Sequence, residues 1–536
     1  MRIKAGLIVL LAFAAPITAW SQAVLNPSGY ANNDRGDPKL RANGKYVDQL
    51  VADFMVRHHL PGMTMTIVQA PYIPRSAGYG RTNLNYDELA STKTMWNVGP
   101  ITQGFTATAV FQLYEAHKLD IQDHVGKYLP DLPAAWQKVT LFQLLQHASG
   151  IPDYRTSGTF NENGSHTPAA LIAMVRDKPV LFEAGTQVRM SATDFALLGL
   201  VIEKASGMSF HDYVTQFQIE LLGLQSTMFA ADFAKKSFLD RPVPQPGENQ
   251  HVRFKQEIPY INPVEPATGY KSTQGNLVPV GGSQSLFAFA DLWSSAEDIS
   301  KWDIGLAGST LVKSKENRAL IYQPTKLANG TVVPAMAGWE FTRHPGFMEI
   351  KGSSPGFSSY LSRFTNAREL VCVTLLTNVE GIDLTDLARD IAEAYKPGLG
   401  SGVDTTRIVT QESKFSVNET VARLKAALTA QQVHVFATFD HAENAEKVGL
   451  TMRPTQVVVF GKPNVGTKLM LDQQSAALDL PLRVSIWQDE RNRVWVSYHD
   501  MDQLAADWGI EDKATVQAIS TGLDSLVRKT VNVYEY

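Results

Sequence analysis

The stretch from Val98 to Leu113 reads VGPITQGFTATAVFQL, and it decides the fold of the first part of this chain. Phe105, Ala109 and Leu113 recur at every fourth position, which is the spacing of one face of an α-helix. Pro100 fits the first turn of a helix, because a proline there loses no hydrogen bond and its φ angle is already suitable. The stretch therefore predicts a helix that begins near Pro100.

Apolar runs on either side of this helix predict strands and a second helix. Met63–Val68 (MTMTIV) contains β-branched residues between turn-forming residues, which predicts a strand. Leu370–Leu376 (LVCVTLL) is a nearly continuous apolar run, which is typical of a buried strand. Phe195, Leu198 and Ile202 mark the apolar face of a second helix. The first part of the chain is therefore predicted to mix strands and helices.

The composition excludes several classes of protein. The 536 residues include 49 Lys and Arg against 53 Asp and Glu, so the formal net charge is −4. This balance gives no electrostatic reason to bind nucleic acid or an anionic membrane. Cys372 is the single cysteine, which excludes an internal disulfide and a cysteine-rich metal site. Its place inside an apolar run predicts a small buried side chain rather than a reactive thiol.

Residues 1–23 have the pattern of a secretory signal peptide. Arg2 and Lys4 precede the apolar run Leu7–Ala15, and small residues mark a cleavage site after Ala23. A membrane anchor would need a longer apolar segment, because about 20 residues are required to cross a bilayer. No later stretch reaches that length. The sequence therefore predicts an exported bacterial protein, periplasmic or secreted, with no integral membrane segment in the mature chain.

Four stretches resemble the serine β-lactamase and penicillin-binding-protein family, in its class C and esterase-like branch. They are VGPITQGFTATAVFQLYEAHKLDIQDHVGKYLPDLP with VTLFQLLQHASGIPDY, FEAGTQVRMSATDFALLGLVIEKASG, LWSSAEDISKWDIGL, and KGSSPGFSSYLSRF. The resemblance covers about residues 45–396. It implies an α/β (α+β) fold, with an antiparallel sheet flanked by helices plus a helical subdomain, here assigned to residues 24–396. Within it, residues 240–283 are rich in Pro, Gly, Gln and Asn, which predicts a long excursion over the surface.

The resemblance implies acyl-transfer chemistry built on three motifs, and this chain departs from each of them. In the family, S-x-x-K supplies a serine nucleophile and a lysine one helical turn later. Y-x-N supplies a tyrosine for proton relay, and K-T-G binds the substrate carboxylate. At the matching positions this chain has Pro100, Gln103, Met190, Ala192, Ile350 and Gly352, and only the glycine is retained. The resemblance therefore implies a site that lacks the catalytic serine, lysine and tyrosine.

Other polar residues in and near the motifs are candidates for binding a ligand. The predicted ligand-binding residues are Gln103, Ser191, Lys351, Ser353 and His441. Lys351 is either a solvated strand lysine or a cation of the cleft. Successive strand residues point to opposite faces, so Lys351 should face away from the cleft unless a bulge shifts the strand. His147, in QHASG, is predicted to be a hydrogen-bonded loop residue rather than a general base. No histidine has partners at metal-ligand spacing, so neither a metal nor a cofactor is predicted.

A turn-rich stretch, Pro397–Gly402, separates a second block from the first. Residues 397–411 are assigned to a linker and residues 412–536 to a small α+β domain with an antiparallel sheet. The stretches FATFDHAENAEKVGL, RPTQVVVFGKPNVGTKLM and ALDLPLRVSIWQDERNRVWVSYHD resemble the domain of unknown function 302 family. Asp440 is predicted to cap a helix. His441 either packs at that helix start or lines a ligand pocket.

Three functional hypotheses follow from the sequence. The first is an exported pseudoenzyme whose β-lactamase-like domain binds a small molecule or a cell-wall peptide. The second is an active serine-hydrolase-type enzyme, of the β-lactamase, esterase or D-Ala-D-Ala peptidase class, with a non-standard nucleophile. The third is a binding or regulatory protein that acts through its C-terminal domain. The sequence identifies neither a protein partner nor an oligomeric state.

Overall fold

A computed structural model describes most of the chain. The described residues are 30–42, 45–69, 72–85, 88–161, 164–235, 266–280, 286–322, 324–341, 347–364, 370–401 and 407–531. The predicted signal peptide, residues 1–23, lies outside them.

The strands and α-helices of the described residues are numbered in chain order. The strands are β1 Asn33–Gly36, β2 Arg41–Ala42, β3 Lys45–Tyr46, β4 Gly62–Gln69, β5 Tyr72–Asn83, β6 Glu88–Leu89, β7 Trp96–Asn97, β8 Thr227–Phe229, β9 Gly269–Thr273, β10 Asn276–Val280, β11 Leu292–Ser294, β12 Ala335–Met336, β13 Trp339–Glu340, β14 Phe347–Ser354, β15 Phe357–Phe364, β16 Val371–Thr377, β17 Ile408–Ser413, β18 His434–Asp440, β19 Thr455–Gly461, β20 Leu482–Gln488 and β21 Val494–His499. The helices are α1 Val47–His58, α2 Thr102–Glu115, α3 Ala134–Gln137, α4 Leu141–Leu145, α5 Pro168–Ala173, α6 Ala192–Ser206, α7 Phe210–Val214, α8 Phe287–Ala290, α9 Ala296–Ala307, α10 Lys315–Tyr322, α11 Thr385–Tyr395, α12 Val417–Ala430, α13 His441–Lys447, α14 Pro463–Asp472, α15 Met501–Trp508 and α16 Lys513–Val531.

The first part of the chain is built on an antiparallel sheet. Its strand order is β1-β5-β4-β16-β15-β14-β13-β12, with β6 beside β5. The predicted strand at Met63–Val68 is confirmed within β4, and the predicted buried strand at Leu370–Leu376 is confirmed as β16 from Val371 onward. The fold is therefore α/β (α+β), as the resemblance implies.

Both faces of the central strands are covered, which explains their nearly continuous apolar sequence. On one face, Met65 of β4 and Val373 of β16 pack in a core with α1 and α11. On the other face, Thr374 of β16 contacts Ser300 of α9, with 3.1 Å between the two hydroxyl oxygens. Cys372 points to this second face and is buried, and its burial raises the pKa of the thiol well above its usual range. The prediction of a buried, unreactive cysteine is consistent with this environment.

The two predicted helices are confirmed as α2 and α6, which pack against each other beside the sheet. Gly104 lets α2 approach the sheet and α9 closely. A Cβ atom at this position would lie 2.8 Å from Cη2 of Trp302 and 3.2 Å from Cδ1 of Ile350. The Trp302 ring also stacks on Phe105 of α2 at a centroid distance of 4.3 Å. The start of α2 contains the first motif, and it therefore packs closely against β14, which contains the third motif.

The C-terminal block forms a second antiparallel sheet, in the order β17-β21-β20-β19-β18. One face of this sheet packs on α12 and α16 through the core residues Leu424, Val458, Ile486 and Val527. Strands β20 and β21 pair as an antiparallel hairpin. Asp440 accepts a hydrogen bond from the Glu443 N–H at 2.9 Å, so its predicted capping role is confirmed.

The predicted linker, residues 397–411, is wrong in its second part, because residues 408–411 belong to strand β17, which pairs with β21. Leu399 is also fully buried. The carboxylate of Glu393 accepts hydrogen bonds from the N–H groups of Gly398 and Gly400 at 2.8 and 2.9 Å, and burial raises its pKa to about 7. This stretch packs because its backbone groups have partners on the preceding helix α11.

Ion pairs join α11 to the turn between β20 and β21. Arg491 lies 2.6 Å from Asp386, and Arg493 lies 3.0 Å from Asp390. Arg493 also donates to the carbonyl of Gly400 at 2.9 Å. The turn between β20 and β21 therefore contacts α11 and the stretch that follows it.

The predicted surface excursion at residues 240–283 is wrong in part. Gly269–Thr273 and Asn276–Val280 pair as the antiparallel hairpin β9–β10. Tyr270 of this hairpin is almost fully buried, and its N–H lies 3.1 Å from the carbonyls of Gly356 and Asn378. Residues 240–265 and 281–283 lie outside the described part of the chain.

Candidate functional site

The first motif lies at the start of α2, which serines of the sheet hold in place. Gly99–Ile101 form a 3-10 turn that leads into the helix. Ser354 of β14 donates through its Oγ to Asn97 Oδ1 at 2.6 Å. Ser359 of β15 donates to the carbonyl of Val98 at 2.8 Å. One hydroxyl therefore holds the side chain of Asn97 and the other the backbone of Val98, just before the helix start.

Pro100 takes the position of the family's serine and packs against Gly352 of the third motif. A Cβ atom at Gly352 would lie 2.8 Å from Cγ of Pro100. Gly352 also has a φ angle of +152°, a conformation that residues with a side chain rarely adopt. The proline ring thus fills the space between the helix start and β14.

Gly352→Ala should lower the free energy of unfolding by about 1–3 kcal/mol, because the added methyl group overpacks against Pro100 in an unfavourable backbone conformation. Urea unfolding followed by circular dichroism measures the change. Gly158→Ala is the matched control, since a Cβ there would meet no atom within 4 Å and should change stability by less than about 0.5 kcal/mol. Equal behaviour of the two variants would contradict the packing described.

Gln103 takes the position of the family's lysine and belongs to a buried polar network. Its Oε1 lies 3.2 Å from Nε2 of His147, and Nδ1 of His147 lies 3.2 Å from Oδ2 of Asp194. Ser149 donates to the other oxygen of Asp194 at 2.5 Å. Gln103, His147, Ser149 and Asp194 are all nearly or fully buried, and burial raises the pKa of Asp194.

Nδ1 of His147 lies 3.2 Å from Oδ2 of Asp194 and 3.3 Å from the backbone nitrogen of Ser191, so a proton on Nδ1 is donated to Asp194 and leaves no acceptor for the Ser191 N–H. Two protonation states fit the contact with Asp194. A doubly protonated ring donates to the carboxylate of Asp194 and to the amide oxygen of Gln103. A neutral ring with its proton on Nδ1 donates to Asp194 and accepts from the amide nitrogen of Gln103 after the amide is turned over. In both states an amide bound to an imidazole stands where the family has its lysine. The prediction that His147 is a hydrogen-bonded loop residue agrees with this geometry.

The third motif lies on β14, where Ile350 and Lys351 point to opposite faces. Ile350 is 1% exposed and packs in the core on the side of α2. Lys351 lies on the other side, and its Nζ is 3.3 Å from both Glu349 Oε2 and Thr385 Oγ1. Glu349 is fully buried and also pairs with Arg389 at 3.2 Å. The structure therefore places Lys351 in an ion-pair network with α11, away from the first motif.

The second motif, residues 190–192, leads into α6. Met190, at the position of the family's tyrosine, is 45% exposed, whereas Ala192 is fully buried. Ser191 stands at the N-cap position of α6, and its N–H lies 3.3 Å from Nδ1 of His147. Its hydroxyl oxygen is buried and has no hydrogen-bond partner among the described residues. The structure thus brings Ser191 and Gln103 to the same histidine.

Two other predicted ligand-binding residues lie apart from this network. Ser353 points to the same face of β14 as Lys351; its Oγ lies 3.0 Å from Ser358 Oγ and accepts from the N–H of Gly381 at 2.9 Å. His441 is exposed at the start of α13 in the C-terminal sheet domain. The candidate set therefore falls into one pair around His147 and three residues that do not join it.

Comparison with known proteins identifies both parts of the chain. Residues 47–396, about two thirds of the chain, match the family model described as Beta-lactamase. The chain belongs to the beta-lactamase family. Residues 409–527 match the model for the domain of unknown function DUF302. The first sheet with its helices is therefore a beta-lactamase domain, and the second sheet belongs to a DUF302 domain.

Relatives differ in the share of the chain that they match. Penicillin-binding protein 4* of Bacillus subtilis is 25% identical over 338 residues, which are 61% of this chain and 70% of that protein. The Fluoride-specific ion channel FluC 1 of Brucella suis is 32% identical over 177 residues, which are 32% of this chain and 69% of that protein. In the residues described for the present chain, no helix has the length and apolar character to cross a membrane.

A solved structure shows the same fold. The D-amino acid amidase of Ochrobactrum anthropi SV3, in complex with L-phenylalanine amide, superposes with a TM-score of 0.52 at 18% identity. The superposition covers 65% of this chain and 97% of the amidase. At this identity the likeness concerns the fold of the beta-lactamase domain alone.

Sequence reasoning missed part of the site. Asp194 and Ser149 had no recognised role, although both complete the polar network of the beta-lactamase domain. They stand 45 positions apart, and neither belongs to a motif with a spacing that predicts their contact. The sequence did show an acidic residue, Asp194, in the first turn of α6 and a histidine, His147, in a loop, and these two residues can pair.

Proposed function

We propose that this chain is an exported, non-catalytic member of the beta-lactamase family that binds a small molecule or a cell-wall peptide. The observation that carries the proposal is the replacement of the nucleophile and its base. Pro100 has no hydroxyl and packs on Gly352, while Gln103 is bound to His147. A serine nucleophile works only with a neighbouring base, so losing both removes the family's first chemical step.

The other two motifs support the same proposal. Ile350 presents an apolar side chain where the family binds the substrate carboxylate, and Met190 has no proton to relay. The hydroxyl of Ser191 lies next to these positions, and it is buried without a hydrogen-bond partner among the described residues. Such a group is costly to leave unbonded, and it favours a ligand that offers a hydrogen-bond donor or acceptor there.

The same hydroxyl supports a second candidate function, an active hydrolase with Ser191 as nucleophile. His147 and Asp194 lie beside it, as a base and its orienting carboxylate would. Against this candidate, the contact between Ser191 and His147 runs through the backbone N–H and not through the Oγ. The test therefore includes Ser191→Ala as a control for any reaction that is seen.

The test of the proposal is covalent labelling. Intact-mass spectrometry of the purified chain after incubation with penicillin G or a fluorophosphonate should show no adduct. A stoichiometric adduct in the parent protein that is absent from Ser191→Ala would favour the second candidate.

We also propose that the DUF302 domain works as a separate binding unit. The domain division proposed from the sequence places the beta-lactamase domain at residues 24–396 and begins the second domain at 412. With β17 starting at Ile408, the proposed start of the second domain moves to that residue.

A further inference from the structure

A large apolar cavity lies in the DUF302 domain, far in sequence from the motifs of the beta-lactamase domain. Its volume is about 710 Å³, within the range of small-molecule sites in proteins. It is partly open to solvent and is lined by residues of α12, β18, β19, α14, β20 and α16. Aliphatic and aromatic side chains form its walls, among them Leu428, Phe460, Met470, Leu523 and Leu526.

One charged residue stands at the opening of this cavity. Among the lining residues, all of which lie in the described part of the chain, Lys462 alone carries a charge. It is both exposed and part of the lining, so it lies where the cavity meets solvent. Lys462 is also the N-cap residue of α14, so the positive end of that helix dipole lies at the same place. The rim therefore favours an anionic group, while the interior favours hydrocarbon.

The helices that line the cavity leave it unfilled. Gly466 lies inside α14 and Gly522 inside α16, and both line the cavity. A Cβ atom at either position would meet no atom within 4 Å. Glycine is less favourable than almost any other residue in a helix interior, so these positions retain open space at a cost in helix stability.

We propose that this cavity binds a long-chain monocarboxylate. Its alkyl chain lies between α12, α14 and α16, and its carboxylate lies beside the ammonium group of Lys462. The apolar walls match the chain, and the single cation matches a single negative charge. Binding at this site requires no chemistry in the beta-lactamase domain. The binding proposal can therefore be tested independently of the proposed loss of catalysis.

Isothermal titration calorimetry on the full chain tests the ligand class. Octanoate, decanoate and dodecanoate, each below its micelle concentration, should bind with one site and increasing affinity. Each buried methylene is worth up to about a fourfold decrease in Kd, so two methylenes give up to about 15-fold. Failure of all three to bind, or affinities that do not change with chain length, would overturn the proposal.

Variants test the position of the ligand. Gly466→Leu and Gly522→Leu should each place a side chain in the cavity and weaken dodecanoate binding at least tenfold, with the thermal midpoint confirming that each variant folds. Lys462→Met should weaken dodecanoate binding about two- to fivefold and leave dodecanol binding unchanged, since an exposed ion pair is worth little. Lys468→Met, on the same helix but not in the lining, is the matched control and should change neither.

Two results would contradict this placement. The first is unchanged dodecanoate binding in both folded leucine variants. The second is binding of dodecyltrimethylammonium by the parent protein as tightly as dodecanoate, which would remove the role given to Lys462.

Discussion

Asp194→Ala should destabilise the beta-lactamase domain by about 3–5 kcal/mol, the largest stability effect that the structure predicts for a single substitution at this site. Asp194 is fully buried and accepts from Ser149 at 2.5 Å and from His147 at 3.2 Å. Its removal leaves two buried polar side chains without their partner, and such losses are among the most costly in proteins. Urea unfolding followed by circular dichroism measures the change.

Two further variants make this result interpretable. Asp194→Asn keeps the shape and one acceptor oxygen, so its loss should be smaller, about 1–2 kcal/mol. Asp177→Ala removes an exposed aspartate of the same domain and should stay within about 0.5 kcal/mol of the parent. A loss below about 1 kcal/mol for Asp194→Ala would show that the network around His147 does not form as described.

The double variant Pro100→Ser, Gln103→Lys should fold but gain no measurable turnover of nitrocefin or a p-nitrophenyl ester. In another serine hydrolase, loss of the nucleophile alone costs on the order of 10⁶ in turnover, so a restored site would be easy to detect. We expect none, because Ile350 still presents an apolar group at the third motif and Met190 supplies no proton relay. The position of Gln103 is 1% exposed, so burial would also disfavour the charged form of the new lysine.

The matched control for this experiment is the single variant Gln103→Lys, which lacks any hydroxyl at position 100. A gain above the parent in the double variant that disappears in the single variant would contradict the prediction. It would show that the remaining groups of the cleft are still arranged for acyl transfer, since transition-state stabilisation needs them placed together.

Much of the fold could be predicted from the sequence because its signals are local. The strand at Met63–Val68 and the helix marked by Phe105 follow from the periodic burial of apolar residues, which depends on neighbours in the chain. The hairpin β9–β10 was missed because its Pro- and Gly-rich surroundings resemble a loop. The predicted linker included residues 408–411, which belong to β17. This strand has no apolar run of its own and forms by pairing with β21, nearly 90 residues later.

For the candidate site, the sequence predicted which residues replace the family's motif residues, but not the contacts that these residues make. The residues at Pro100, Gln103 and Ile350 follow from alignment of the motifs, and the structure brings these positions together through α2 and β14. The contact of Gln103 with His147 joins residues 44 positions apart and depends on how α2, α6 and a loop pack. The alternation of a strand did predict that Lys351 faces away from Ile350, but its partner Glu349 and the helix α11 could not be inferred.

We propose that the beta-lactamase domain forms no acyl-enzyme, and intact-mass spectrometry measures this without any assumption about the substrate. The purified full chain is incubated with penicillin G and, separately, with a fluorophosphonate, at neutral pH and in molar excess. We expect the unmodified mass in both samples, because Pro100 offers no hydroxyl and Gln103 offers no base. A stoichiometric increase equal to the mass of the bound probe, mapped to a serine or threonine of the beta-lactamase domain, would contradict the proposal.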